Sequence, residues 1–248
     1  MSSILLAGEQ VTGLGFEIKG FDIFSVSSYK TDGDALYRGL LQEGHEVTWM
    51  ETSQVPIHFP ETMEELASFD VVILSDVGAN SLLFHPEMLS KSLPHPNRLK
   101  LLCDYVRQGG GLAMVGGWMS FSGIDGKAKY HDSFLEEALP VKCLPYDDRQ
   151  ERPEGVVPTA SREHPILAGL EIEWPYFLGY NKVTPKEGTE VLLEFERDPL
   201  LVVWQYGAGR SAAFTSDCAP HWGPAEFLNW SSYSRFWSNL VQWLADKE

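Results

Sequence analysis

The sequence predicts a doubly wound, mainly parallel α/β sheet, extended by an antiparallel meander in its second half. Three observations carry this. Short apolar runs alternate with helix-period patterns over the first 123 residues. One such run, Val71-Val72-Ile73-Leu74, is continuous rather than alternating, as a strand covered on both faces should be. Glycines also punctuate the pattern: Gly44 and Gly109 stop helices, and Gly109 to Gly111 and Gly116-Gly117 bracket the run 112–115. Strand–helix alternation of this kind builds parallel sheets through right-handed crossovers.

In chain order, 4–8 is the first strand. Residues 10–33 follow as a long, apolar, glycine-bearing connection, a length that usually signals function or an interface. A helix over 34–43 has Asp34 as its expected N-cap and Leu36, Leu40 and Leu41 as its buried stripe. Strand 46–50 comes next, then a short helix at 62–68 with a Thr62/Glu65 capping box, then strand 71–76. Residues 78–96 read as a loop. Helix 98–108 puts Leu99, Leu102, Cys103 and Val106 on one face. After strand 112–115 comes a short helix at 132–139, and 144–165 reads as an irregular connector. Runs at 190–195, 200–205 and 211–216, separated by turn chemistry, form the meander. A helix over 229–245 closes the chain with Trp230, Tyr233, Trp237, Leu240, Val241 and Leu244 inward.

The totals suit one domain over 1–248, with 44% hydrophobic residues to build a core. A net charge of −16 excludes nucleic-acid backbone binding and disfavours anionic membranes. No run reaches membrane-span length, and the first residues lack a signal-peptide pattern. The three cysteines, Cys103, Cys143 and Cys218, are distant and odd in number, which favours a reducing, cytoplasmic location.

In open parallel sheets, ligands bind beyond the strand C-termini. Segments following the first, third and fourth strands converge there, supplying Glu9 and Gln10, Asp76 to Asn80, and Gly116 to Ser122. Asp217 and His221 join them if the last meander strand enters the main sheet. The expected ligand site is therefore Asp76, Gly116, Gly117, Trp118 and Ser120, with Trp118 and Trp222 as candidate apolar walls. It requires Gly117 and Ser120 to be open rather than buried under packed side chains. Acidic groups there oppose a multiply charged anion and favour a neutral or amide-bearing ligand. A hydrolytic alternative takes Ser120 as nucleophile, His221 as base and Asp217 or Asp76 as orienter, although no G-x-S-x-G surrounds Ser120. The competing reading is local hydrogen bonding at a glycine bend. Cys218 and His221 do not complete a zinc pattern, and no metal or cofactor is expected. His45, His85, His95 and His164 are assigned to turns or solvent. A third reading makes the chain a structural subunit that self-associates through 10–33.

Several motifs together resemble the class I glutamine amidotransferase-like superfamily, and more closely one bacterial branch of it. They are Asp104-Tyr105-Val106-Arg107-Gln108-Gly109-Gly110-Gly111-Leu112, then Val115-Gly116-Gly117 and Ser120-Phe121. Further on come Glu163-His164-Pro165-Ile166-Leu167-Ala168-Gly169-Leu170 and Gly207-Ala208-Gly209-Arg210. The resemblance implies a flavodoxin-like fold with a ligand crevice. True glutaminases of the superfamily carry a G-x-C-x-G elbow and a late His-Pro-Glu triplet. This chain has Gly117-Trp118-Met119-Ser120-Phe121 and Thr215-Ser216-Asp217 at the similar positions. The resemblance thus implies the fold and the crevice without the glutaminase pair.

Overall fold

The computed structural model describes residues 1–246. The first strand, β1 (Ser3–Gly8), is followed by β2 (Gln10–Lys19) and β3 (Asp22–Thr31), a long hairpin where the sequence suggested a loop. Helix α1 (Asp34–Gln42) follows, with Gly33 rather than Asp34 at the cap position. Next are β4 (Glu46–Met50), α2 (Val55–His58) and α3 (Met63–Leu66), whose Thr62/Glu65 capping box is formed. After β5 (Val71–Ser75), the expected loop contains two short helices, α4 (Ala79–Leu83) and α5 (Pro86–Lys91). Helix α6 (Arg98–Arg107) and β6 (Gly111–Val115) match their predicted places within one residue.

The second half adds α7 (Phe134–Ala138), β7 (Val141–Cys143), β8 (Arg149–Val156) and β9 (Thr159–Ala160). Here the irregular connector is corrected. Its charged residues form β8, which pairs antiparallel with β10 (Phe177–Asn181). Strand β11 (Val183–Pro185) pairs with β7. The meander is β12 (Glu190–Phe195), β13 (Asp198–Tyr206) and β14 (Gly209–Phe214). After a short helix, α8 (Ala225–Leu228), the closing helix α9 (Tyr233–Ala245) starts at 233 rather than the expected 229.

Eight strands form the main sheet in the order β4-β1-β5-β6-β14-β13-β12-β9. The five from β4 to β14 are parallel, and their order along the chain is 2-1-3-4-5, the flavodoxin-like arrangement. Side chains along each parallel strand alternate between two apolar layers. Ile4, Leu6, Val71 and Ile73 pack with α1 and α9, while Leu5, Ala7, Val72 and Leu74 pack with α6 and the short helices. Both faces are therefore covered, which is why these strands are apolar throughout. Leu99 and Cys103 lie in the second layer, as the helix period predicted. His45 departs from its expected exposed role: it is buried between the Ser2 amide and the Ser238 hydroxyl.

Candidate functional site

The C-terminal ends of β1, β5, β6 and β14 open on one edge of the sheet. At Gly8 (φ +124°) a Cβ would lie 1.7 Å from the Ser75 carbonyl oxygen, so only glycine lets these two strand ends touch. The following residue, Glu9, takes a left-handed φ of 58° and is buried. The Glu9 amide donates to the Ser75 carbonyl at 3.2 Å, and its carboxyl accepts the Ser75 hydroxyl at 2.5 Å. The Cys218 thiol lies 3.7 Å from the same carboxyl oxygen. Asp217 is buried alongside, accepting the Ala219 amide at 2.9 Å. Asp76, also at positive φ (46°), accepts the Met119 amide at 2.6 Å.

Burial pushes the Glu9 carboxyl up to about 8, with the nearby charge of Asp76 adding to the effect. Asp217 is pushed well above the carboxylate range by burial, then by Glu9 and Asp76. Asp76 is raised by burial against the opposing Met119 hydrogen bond. Among the described residues, no lysine or arginine pairs with Glu9, Asp76 or Asp217. Asp217 faces the His221 imidazole at 3.9 Å, and burial lowers that imidazole's pKa.

A second layer holds the loop after β6. At Gly117 (φ +148°) a Cβ would come within 2.7 Å of the Asp76 carboxylate. The Gly117 amide donates to the Asn181 side-chain oxygen at 3.0 Å. The Asn181 amide group donates in turn to Asp148 at 2.8 Å. Asp148 is fully buried and also accepts the Ser122 and Gly123 amides at 2.8 and 2.9 Å. Burial lifts its pKa to about 6 despite these donors. The outer wall is Trp118, 41% exposed, with the Arg149 guanidinium 5.2 Å from its ring centroid and His221 edge-on at 4.7 Å.

The structure thus brings Asp76, Gly116, Gly117, Trp118, Ser120, Asp217 and His221 to one sheet edge. It does not assemble the hydrolytic triad. The buried Ser120 hydroxyl donates to the Val115 carbonyl at 2.6 Å and accepts the Asp76 amide at 3.2 Å; it makes no hydrogen bond to His221. Gly116, Gly117 and Ser120 are all buried, so they shape the loop and do not offer ligand contacts as expected. The open surface consists of Trp118, half-buried Asp76, Met119 and Arg149, and His221. Trp222 is likewise corrected: it is fully buried, its indole donating to Glu151 at 2.9 Å. Asp148, Arg149 and Asn181 were missed. The acidic pair Asp147-Asp148 in a polar stretch was the only sequence signal among them.

Two clusters offer potential metal ligands. Glu9, Asp217 and Cys218 place ligand atoms within 4.8 Å of one another, and burial raises the pKa of all three, so a cation there would have to displace protons. Glu61, His85 and His95 form the second. There the imidazoles stack at 3.9 Å and 18°, so their lone pairs run side by side instead of converging.

The family model described as "Putative glutamine amidotransferase" matches residues 3–246. Two solved structures of Salmonella typhimurium, the cytoplasmic proteins STM3548 and STM1381, are 40% and 41% identical to the chain, with TM-scores of 0.95 and 0.94. The first match covers 98% of this chain and 99% of that protein, the second 99% and 100%. A β-galactosidase from Rahnella sp. R3, at 14% identity and a TM-score of 0.52, matches over 85% of this chain and 26% of its own; it shows the fold alone. A search of curated proteins finds no match. No helix among the described residues is long and apolar enough to cross a membrane.

Proposed function

Because the chain belongs to this class I glutamine amidotransferase-like family, we propose that its strand-end crevice binds a small uncharged molecule, such as an amide, without glutamine hydrolysis. One observation carries the reading. Glu9, Asp76 and Asp217 are held together at the strand ends with no lysine or arginine pairing them. Burying carboxyls this way costs stability, and such costs concentrate at functional sites. Of the three, Asp76 reaches the open surface beside Trp118; burial raises its pKa, and a carboxyl in its protonated form both donates and accepts, which matches a carboxamide. The Trp118 face supplies apolar contact area.

Glutaminase chemistry needs a thiolate. The loop after β6 has none, and the Cys218 thiol is buried and pushed well above its ordinary pKa. Purified protein should release no ammonia from glutamine above background; release abolished by Cys218→Ser would overturn this part. Binding is tested by thermal shift against panels of uncharged amides and of multiply charged anions such as phosphate and citrate. Ligand binding raises apparent stability by mass action. A rise with members of the amide panel, lost in Trp118→Ala, is expected. A rise with the anions that survives Trp118→Ala would defeat the proposal.

A further inference from the structure

The hairpin β2–β3 carries two unlike faces. Its register sets Thr12, Leu14, Phe16 and Ile18 opposite Tyr29, Ser27, Ser25 and Ile23, so these eight side chains share one face. None of them is charged. Leu14 is 82% exposed, Phe16 77%, Ile18 70% and Ile23 67%, and Phe21 at the tip is wholly exposed. The opposite face holds Glu17, Lys19, Asp22 and Lys30, and its Phe24 is overlaid by the Lys19 ammonium at 5.3 Å. That second face carries charge among its exposed Val11, Val26 and Phe24, whereas the first carries none.

We propose that the uncharged face is a dimer contact, covered in solution by the same face of a second copy of this chain. The shape supports a copy as the occupant. At the centre of the face the large residues of β2 stand opposite serines of β3, Leu14 facing Ser27 and Phe16 facing Ser25, while Thr12 faces Tyr29 and Ile18 faces Ile23 at its two ends. The face is thus a ridge beside a trough. A two-fold axis lays the ridge of one protomer into the trough of the other, the self-complementarity that an isologous interface requires. The area also fits. Phe16 and Tyr29 alone expose on the order of 300 Å². Leu14, Ile18 and Ile23 bring the face toward the roughly 800 Å² that each partner of a stable complex buries. Charge is consistent too: a chain of net charge −16 repels its copy, and this face excludes charge from the contact. A two-stranded ribbon is only marginally stable alone, so covering this face also stabilises the hairpin.

The hairpin is fixed to the body at its root. The Gln10 amide donates to the Thr52 hydroxyl at 3.2 Å, and the Gln10 side-chain oxygen accepts the Ser53 amide at 3.0 Å. The test is the molar mass of the full chain at tens of micromolar, by light scattering or sedimentation. The dimer mass is expected for wild type and for Phe24→Asp on the charged face. Phe16→Asp with Ile18→Asp should give the monomer, with circular dichroism and melting confirming that it is folded. Ser25→Phe separates specific packing from general stickiness: it fills the trough, so it should weaken the dimer although it adds apolar surface. A monomeric wild type overturns the proposal and leaves the face to a different partner. A dimer that survives Phe16→Asp with Ile18→Asp, or that tightens with Ser25→Phe, also overturns it.

Discussion

The crevice and the hairpin are separated by one peptide bond, between Glu9 and Gln10, yet they invert each other. At the crevice, carboxyls occupy the interior: Glu9, Asp148 and Asp217 are each at least nine-tenths buried. On the hairpin, phenylalanine, leucine and isoleucine stand in water. The crevice is over-determined, with the loop after β6 held by Asn181, Asp148 and Asp76 at once. On the hairpin's uncharged face Tyr29 reaches the body through its hydroxyl bond to Glu51, while Leu14, Phe16, Ile18 and Ile23 stay largely exposed. Both break the rule that polar groups face out and apolar groups face in. The contrast separates two kinds of function, one that needs a preorganised polar interior and one that needs an unfinished surface.

Substitutions can break that comparison, the strongest first. Asp148→Ala leaves the Ser122 and Gly123 amides and the Asn181 side chain without their acceptor in a buried place. Orphaned buried donors cost about 1–3 kcal/mol each, so a loss of about 4 kcal/mol is expected, read as a melting temperature lower by roughly 10 °C. A shift of only a degree or two would mean that this network does not hold the loop.

Glu9 sharpens the comparison through pH. Its pKa rises on folding from the ordinary carboxylate range to about 8. The folded chain therefore holds a proton that the unfolded chain has lost, and the stability this contributes falls as pH rises from about 5 to 8. The slope from one such group is at most about 1.4 kcal/mol per pH unit. In Glu9→Gln, the melting temperature should decline less over this range than in wild type. Parallel curves would mean that Glu9 is ionised in the folded protein.

The smallest effect is expected at the hairpin tip. Phe21→Ser, made in the monomeric Phe16→Asp, Ile18→Asp background, should change stability by less than about 0.5 kcal/mol, because the ring packs against nothing. A larger loss would show that the tip is covered within the chain.

The parallel strands and α6 were legible because their cores are continuous apolar runs closed by glycine, a signal within one short window. The hairpin was misread although Leu14, Phe16 and Ile18 alternate with the strand period; with no adjoining sheet strand, a two-stranded arm resembles a loop. Strand β8 was hidden because half of its residues are charged and its pairing comes from β10, more than twenty residues away. The site divides the same way. Asp76 and Trp118 follow strands and could be named, whereas Asp148 and Asn181 take meaning only from contacts across distant segments.

The position of β14 sets the order in which this sheet can be completed. It lies between β6 and β13, so Gly111 finds its neighbour Arg210 only after nearly a hundred further residues. Until then β6 presents a bare apolar edge, and such late, non-local closure slows folding and exposes the nascent chain to aggregation. A chain stopped anywhere before residue 209 keeps that edge open, so the fold can close only once the β14 segment has been made.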